Sequence, residues 1–370
     1  MKIMTVVGAR PQFIKAASVS RVILSQYRDR VVEVMVHTGQ HYDENMSDIF
    51  FEELEIPAPR YQLGVGSGPH GAMTGRMLEA IERVLVEENP DWVLVYGDTN
   101  STLAAALASV KQHVPVAHVE AGLRSGNMAM PEEVNRILTD RVSTLLFCPT
   151  DAAVENLKNE GVREGVFKSG DVMLDVAVQV RKTRGERSAI VDRLGLEPGY
   201  FVLATCHRAE NTDNRERLSA ILQALSEVAG AVPVVVPLHP RTRRLIQEFG
   251  LEERTRNLLV VEPLPYNEVL SLECLAALIA TDSGGMQKEA FFHGVPCVTL
   301  RDETEWVETI AAGWNRLASP ATDDLARIIF DAMKQPPQER PDLYGDGNAS
   351  RRIVDYIVEW QATRRLFDER

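Results

Sequence analysis

Short apolar runs alternate with amphipathic stretches along the chain, and this alternation limits the possible fold more than any other feature of the sequence. The runs IMTVVG, VVEVMVH, WVLVYG, VPVAHV and TLLFCP are typical of parallel strands buried on both faces. Helical patterns lie between them, for example at Pro11–Tyr27, His70–Glu88 and Ser101–Gln112. Alternation of this kind predicts a doubly wound α/β domain, in which helices cover both faces of a parallel sheet.

The same alternation then occurs a second time. YFVLATC, VPVVVPL, NLLVVEP, LAALIAT and VPCVTL form another series of apolar runs, and the polar segment Arg181–Glu197 lies between the two series. We therefore predict two Rossmann-like domains facing across a cleft, with residues 1–170 in the first and 171–349 in the second. Residues 350–370 are predicted to form a terminal helix.

Charge and composition limit the possible partners. The chain of 370 residues carries a net charge of −13, so nucleic acid and anionic membranes are not expected as partners. It begins with a strand rather than a signal peptide, and its apolar runs are shorter than the roughly 20 residues that span a bilayer, which predicts a cytoplasmic protein. The four cysteines lie in or beside apolar runs without metal-site spacing, so we expect buried thiols and no metal.

Two segments have the character of phosphate sites. In VVGARPQFIK a strand turns into a helix beside Arg10 and Lys15, although an ordinary strand–helix turn would read the same way. In IATDSGGMQKEA, Ser283, Gly284 and Gly285 open a helix and could cradle an anion. Glu289 follows about one turn later, where a carboxylate can accept both hydroxyls of a ribose.

Three acidic residues fall at or just beyond strand ends in the first domain. They are Asp98 in YGDTN, Glu120 in HVEAGLR and Glu132 in PEEVNR, and they are expected to converge at one edge of the sheet. Clustering of carboxylates raises some of their pKa values, which suits acid–base catalysis, although Asp98 could simply cap a helix. Glu133 is expected to be a solvated helix residue. His207 and Arg208, after the first strand of the second domain, are predicted to contact ligand.

Taken together, these motifs resemble the non-hydrolysing UDP-N-acetylglucosamine 2-epimerase family, from GARP near the start to YGDGNASRRI near the end. The resemblance implies a fold of the glycosyltransferase B type, with the terminal helix packing back on the first domain, and an expected homodimer. It also implies roles for individual residues. Those given catalytic roles are Asp98, Glu120, Glu132 and His207. Those expected to bind substrate are Arg10 at the diphosphate, Lys15, Arg136, Arg208, His239, Ser283, Gly284 and Gly285 at UDP, and Glu289 at the ribose.

The family's chemistry follows from the substrate, because the C2 proton of a hexosamine has no neighbouring carbonyl to make it acidic. The resemblance implies anti elimination of UDP and its re-addition to the other face, without a cofactor, in the synthesis of bacterial surface polysaccharides. Alternatives are a hydrolysing epimerase, a glycosyltransferase of the same fold and a non-catalytic UDP-sugar sensor.

Three departures from the usual family pattern resemble the branch acting on UDP-2,3-diacetamido-2,3-dideoxyglucuronate, and UDP-N-acetylglucosamine is the alternative substrate. Gln12 replaces a glutamate, Ala209 an arginine and Trp306 an arginine. Loss of the charge at position 12 could favour a uronate, and Trp306 could pack on a second acetamido methyl group. The segment Gly39–Phe51, where some members bind a second, activating UDP-sugar, matches their pattern poorly.

Overall fold

The chain divides into two compact units. The structure, a computed structural model, describes residues 1–40, 58–184 and 188–368, apart from the side chains of Arg10, 182–184 and 364–368. Unit 1 comprises Met1–Val176 and Leu343–Arg370, and unit 2 comprises Ala177–Asp342. Unit 2 is therefore one continuous segment inserted into unit 1, and residues 343–348 lie in unit 1 with the terminal helix.

Unit 1 is built on a seven-stranded parallel sheet with the order β3-β2-β1-β4-β5-β6-β7. Its central strands are fully buried, which explains why they read as continuous apolar runs rather than alternating ones. The strands are β1 Lys2–Val7, β2 Val32–His37, β3 Tyr61–Gln62, β4 Trp92–Tyr96, β5 Val116–Val119, β6 Leu145–Cys148 and β7 Val166–Lys168.

The described helices of unit 1 are α1 Arg10–Gln26, α2 His70–Glu88, α3 Asn100–Lys111, α4 Pro131–Val142, α5 Asp151–Asn159, α6 Val172–Arg184 and the terminal helix. The unit boundary falls within α6. The terminal helix, Ala349–Asp368, packs on α1 through a hydrogen bond of 2.6 Å between Ser350 Oγ and Ser18 Oγ. Asp175 fixes its start, because its carboxylate accepts the N–H groups of Ala349 and Ser350 at 3.0 and 2.7 Å.

Unit 2 repeats the design with a six-stranded parallel sheet of order β10-β9-β8-β11-β12-β13. Its strands are β8 Val202–Thr205, β9 Val234–Pro237, β10 Leu259–Val261, β11 Leu278–Thr281, β12 Cys297–Thr299 and β13 Asn315–Leu317. Its described helices are α7 Ala189–Arg193, α8 Ala209–Thr212, α9 Arg215–Ala229, α10 Pro240–Glu248, α11 Tyr266–Leu275, α12 Gly284–His293, α13 Val307–Ala311 and α14 Leu325–Lys334, with a 3₁₀ turn at Glu252–Thr255. The terminal helix of unit 1 is accordingly α15.

The predicted fold class, two Rossmann-like α/β units, is confirmed, and all ten apolar runs contain a strand. The sequence did not predict β3, β7 and β13, which are edge strands of two or three residues and too short for a periodic signal. None of the four cysteines, all of which lie in the described ranges, forms a disulfide; Cys148, Cys206 and Cys297 are buried and Cys274 is partly exposed. Within the described ranges, no helix is both long and apolar enough to cross a membrane.

Candidate active site

The predicted site residues follow the strands at which each sheet reverses its order. In unit 1 the reversal lies between β1 and β4, and in unit 2 between β8 and β11. Ligands of open parallel sheets bind beside the carboxyl ends of the strands at such a switch point. Arg10, Asp98, His207 and Ser283 all come within three residues of the end of one of these four strands.

Asp98, just after β4, is held by an arginine of α4. Arg136 Nη2 lies 2.5 Å from Asp98 Oδ2, and Asn135 Nδ2 donates to the main-chain carbonyl of Asp98 at 2.8 Å. Burial raises the pKa of Asp98 above its ordinary value; the positive charges of Arg136 and Lys15 oppose this, while Glu120 adds to it. The side chain is still 30% exposed. Asp98 is thus an accessible carboxyl group whose proton affinity has been increased.

Glu120, the residue after β5, pairs with Lys15 of α1. The carboxylate Oε2 contacts Lys15 Nζ, and each side chain is 12% exposed. Glu120 has a φ of 71°, in the left-handed region that a non-glycine residue seldom adopts. The neighbouring turn is equally tight, because a β-carbon at Gly97 would lie 3.2 Å from Glu120 Oε2. The backbone at Glu120 therefore adopts an unfavourable conformation that places this ion pair beside the turn containing Asp98.

The two glutamates at the start of α4 have opposite environments. Glu132 is exposed in the first turn, with no hydrogen bond or ion pair to any described residue. The expectation that Glu133 is solvated was wrong, since Glu133 is 1% exposed. It accepts the N–H groups of Ser125 and Gly126 at 3.0 and 2.9 Å and also pairs with Arg136. Burial alone would raise the pKa of Glu133, but these donors outweigh it and lower the pKa.

Gln12 belongs to the interior of unit 1. Its Oε1 accepts the N–H of Gly8 at 2.8 Å and that of Ala9 at 3.1 Å, and its Nε2 donates to Tyr96 O at 2.8 Å and Thr102 Oγ1 at 2.9 Å. These four bonds fix the turn after β1 to the end of β4, so the neutral amide has a structural role of its own. The predicted diphosphate contact, Arg10, opens α1, and its side chain lies outside the described part of the structure, as does most of the segment Gly39–Phe51.

In unit 2, a buried carboxylate shapes the turn that follows β8. Asp282, directly after β11 and fully buried, accepts the main-chain N–H groups of His207 and Arg208, both at 3.0 Å. The imidazole Nδ1 of His207 lies 3.4 Å from Asp282, and the His207 side chain is 51% exposed. Asp282 thus orients a histidine that remains open to solvent. Ala209 follows as an exposed residue at the start of α8.

Helix α12 begins with the predicted glycine-rich cradle. Ser283 is the N-cap and accepts the N–H of Met286 at 3.5 Å, and Gly284 opens the helix. A β-carbon at Gly284 would collide with Oε1 of Glu305 and lie 3.7 Å from Arg208 Nη2. Burial opposes ionisation of Glu305, but the charges of Arg301 and Arg208 lower its pKa. An anionic oxygen and two guanidinium groups therefore already meet at this helix start.

Trp306 supports the cradle from within unit 2. Its indole N–H donates to Gly284 O at 2.8 Å, the Lys288 ammonium lies 4.5 Å from the centre of the ring, and the residue is 8% exposed. The hypothesis that Trp306 packs on an acetamido methyl group is not tested by these contacts.

Two further predicted residues lie on helices of unit 2. Glu289, on α12, accepts a hydrogen bond of 2.8 Å from the hydroxyl of Tyr266 at the start of α11. His239 is the exposed N-cap of α10, where its Nδ1 accepts the N–H of Arg241 at 3.2 Å. Tyr266 and Asp282 were not among the predicted residues. Asp282 could have been predicted, because it belongs to the TDSGG motif. Nothing near Tyr266 in the sequence indicates that it contacts Glu289.

The structure brings Asp98, Glu120, Lys15 and Arg136 together in unit 1, and Arg208 and Gly284 together in unit 2. Carboxyl groups and cations at one switch point suit proton transfer, and a glycine-rich helix start at the other suits an anion. Together they define an α/β enzyme with two Rossmann-like units that acts on an anionic ligand.

The comparisons with known proteins identify the family. The family model described as UDP-N-acetylglucosamine 2-epimerase matches residues 25–358, and the chain belongs to this family of isomerases. It is 52% identical over 363 residues to the UDP-2,3-diacetamido-2,3-dideoxy-D-glucuronate 2-epimerase of Pseudomonas aeruginosa, covering 97% of this chain and all of that one.

Solved structures of the same family share the fold. The crystal structure of the Methanocaldococcus jannaschii UDP-GlcNAc 2-epimerase, in complex with UDP-GlcNAc and UDP, is 40% identical with a TM-score of 0.83, covering 97% of this chain and 100% of that one. The Neisseria meningitidis enzyme bound to UDP-GlcNAc is 31% identical with a TM-score of 0.86, with the same two coverages.

Proposed function

We propose that this protein inverts C2 of a UDP-linked N-acetylhexosamine, and that its preferred substrate is UDP-2,3-diacetamido-2,3-dideoxyglucuronate. The observation that carries the choice of substrate is the 52% identity, over 97% of this chain and all of the other, to a relative named for that sugar. UDP-N-acetylglucosamine is the second candidate, because the relative of that name from Methanocaldococcus jannaschii is 42% identical over 97% of this chain.

The reaction has two steps that mirror each other. In the first, a base takes the C2 proton while the C1–O bond breaks and its electron pair leaves with UDP, so that a C1–C2 double bond forms. In the second, a UDP oxygen attacks C1 and an acid delivers a proton to the opposite face of C2. Atoms and charge balance without a redox step, so the reaction requires no redox cofactor. We further propose that the cations of the protein, rather than a metal, stabilise the departing diphosphate.

The groups of unit 1 support the two proton transfers. Asp98 has a raised pKa and an exposed edge, which suits a carboxyl group that takes up and releases a proton during the reaction. Glu120 forms an ion pair with Lys15. Glu132 is exposed at the start of α4 and free to approach a substrate. We propose these three as the catalytic carboxylates.

Departure of UDP builds negative charge on the diphosphate, and cations must stabilise it. We propose Arg10, Lys15 and Arg136 for this role in unit 1, with His207 at the reacting end of the substrate. Asp282 supports the assignment of His207, because the buried carboxylate accepts the main-chain N–H of His207 while the imidazole stays exposed.

The UDP moiety is assigned to unit 2. The start of α12, with Ser283, Gly284 and Gly285, offers main-chain N–H groups to a phosphate, and Arg208 adds a positive charge there. Glu289 is proposed to bind the ribose hydroxyls, and Tyr266 already orients one of its oxygens. His239, exposed at the start of α10, is proposed as a further contact to UDP.

A further part of the proposal concerns the assembly, the location and the use of the product. We propose a cytoplasmic homodimer whose product feeds the synthesis of bacterial surface polysaccharide. Four cysteines that form no disulfide and are mostly buried are consistent with a reducing compartment.

Proton NMR in deuterium oxide tests this proposal. Each candidate UDP-sugar is incubated with the enzyme and no acceptor, and the product should carry deuterium at C2 and remain linked to UDP. A product that keeps its original C2 proton refutes elimination, and accumulation of free sugar with UDP indicates a hydrolysing enzyme. Parallel kinetics should give the higher kcat/KM with the diacetamido uronate; turnover of UDP-N-acetylglucosamine alone refutes the substrate assignment.

A further inference from the structure

A buried histidine joins the segments of unit 1 that carry the proposed catalytic groups. His118, in β5, is completely buried. Its Nδ1 lies 2.7 Å from Asp140 Oδ1, and its Nε2 lies 2.8 Å from the main-chain oxygen of Gly97. Gly97 immediately precedes Asp98, so the imidazole supports the turn that presents this carboxyl group.

Asp140, in α4, has the surroundings of an ionised carboxylate. It accepts a hydrogen bond of 3.1 Å from the N–H of Gly122 and one of 2.7 Å from Arg124 Nη1. Burial alone would raise the pKa of Asp140, but the hydrogen bonds and positive charges of His118 and Arg124 lower it, and the Arg124 guanidinium does so whether or not His118 carries a charge. Arg124 is itself secured by Glu160, at 2.6 and 2.8 Å.

Both partners of the ring are therefore acceptors. A main-chain carbonyl can only accept a hydrogen bond, and an ionised carboxylate likewise has no hydrogen to donate. At 2.7 and 2.8 Å, each ring nitrogen must carry a hydrogen for both contacts to be hydrogen bonds rather than repulsions. A neutral imidazole carries only one, which would leave a polar atom unsatisfied in a site with no access to water.

We propose that His118 is a doubly protonated positioning residue that fixes the Gly97 turn, and thereby Asp98, relative to α4. The catalytic part of this inference rests on the proposed function. The network reaches each segment of unit 1 that carries a proposed catalytic carboxylate: Gly97 adjoins Asp98, Gly122 lies two residues beyond Glu120, and Asp140 lies on α4 with Glu132. Misplacement of a reacting group by about 1 Å can cost on the order of 10²-fold in rate.

The protonation state is tested on the wild-type protein by NMR with ¹⁵N-labelled histidine near pH 7.5. Of the eight histidines, the His118 ring is identified by the loss of its signals in a His118→Gln variant or, should that variant not fold, by a nuclear Overhauser contact with the amide of Gly122. Both ring nitrogens should show attached protons that exchange slowly with solvent. A ring with only one attached proton overturns the proposal, whatever reaction the enzyme catalyses.

The positioning role is tested with two matched variants. The amide nitrogen of a glutamine at position 118 falls near the position of the histidine Nε2, so it can still donate to Gly97 O. The amide nitrogen of an asparagine falls near the position of Nδ1 and can reach only Asp140. We expect His118→Asn to lower kcat by about 10²-fold and His118→Gln by no more than about tenfold. UDP affinity, measured by calorimetry, should not change in either variant.

Equal losses of kcat in the two variants, or losses explained by weaker UDP binding, refute positioning through the Gly97 turn. Thermal unfolding of both variants is the control for general destabilisation. Both variants lose the same charge from the same buried site, so we expect similar unfolding temperatures, and a difference in kcat between them then reports on the contact with Gly97. Failure of the wild-type enzyme to epimerise any UDP-sugar would instead refute the proposed function and leave the NMR result to stand alone.

Discussion

Replacing Glu133 by glutamine removes a negative charge from a buried position that three donor groups surround. The carboxylate accepts the N–H groups of Ser125 and Gly126 and pairs with Arg136. Glutamine is nearly the same size and keeps one acceptor oxygen, which can retain the main-chain bonds. Its amide NH₂ group, however, must then face the guanidinium of Arg136, where donor meets donor.

The loss can be worked out from these contacts. At least one hydrogen bond between charged groups disappears, worth about 1.5–3 kcal/mol, and Arg136 keeps only Asp98 as a carboxylate partner. We therefore expect Glu133→Gln to lower the free energy of unfolding by about 2–3 kcal/mol at pH 7. Because the folded protein lowers the pKa of Glu133 below its ordinary value of 4.5, this contribution is complete above that value and is lost as pH falls through the folded pKa. The difference between the variant and the wild type should shrink below about pH 4.5.

Urea unfolding followed by circular dichroism at pH 7 and pH 4 measures both effects. Glu132→Gln is the matched control, since the neighbouring glutamate is exposed and unpaired in the described structure. This control should keep its unfolding free energy within about 0.5 kcal/mol while losing roughly 10²–10⁴-fold in kcat. Equal stability of the two variants at pH 7 would show that the buried site around Glu133 is not formed.

Three other substitutions test particular contacts. Lys15→Met removes a positive charge that lowers the pKa of Asp98, so the limb of the kcat–pH profile that belongs to Asp98 should move to higher pH, while Lys15→Arg should leave it in place. Tyr266→Phe removes the hydroxyl that donates to Glu289, the residue proposed to bind the ribose, and should raise KM about three- to tenfold with little change in kcat; an unchanged KM would remove this contact from the proposed UDP site. Glu305→Gln withdraws an anionic oxygen from the start of α12 and should tighten UDP binding up to about tenfold by calorimetry, and weaker binding would contradict its position there.

Much of the fold could be predicted because it depends on local patterns. Parallel strands buried on both faces read as apolar runs, and a residue that follows such a run must lie at the carboxyl edge of the sheet. Asp98, Glu120 and Ser283 could be placed in this way, before any partner was known. The helix boundaries followed from the same logic, and His70–Glu88 was predicted at the residues observed.

The buried ionic contacts could not be predicted, because they join residues that are distant in sequence. Glu133 has the sequence context of a solvated helix start, and only the chain folding back at Ser125 makes it an interior residue. His118 reads as one polar position in an apolar strand, and its partners lie 21 and 22 residues away. The role of Gln12 depends on Tyr96 and Thr102, which no local pattern connects to the first turn.

The insertion of unit 2 into unit 1 has a consequence for how the protein is made. A ribosome completes Ala177–Asp342 before it reaches Leu343, so the whole of unit 2 is synthesised while unit 1 still lacks its last helix. During that interval the carboxylate of Asp175 has not yet received the N–H groups of Ala349 and Ser350, and the face of α1 around Ser18 is uncovered. Translation therefore begins with unit 1 and also ends with unit 1. A release of the chain at residue 342 would leave unit 2, with the proposed UDP site, fully encoded and unit 1 without its terminal helix.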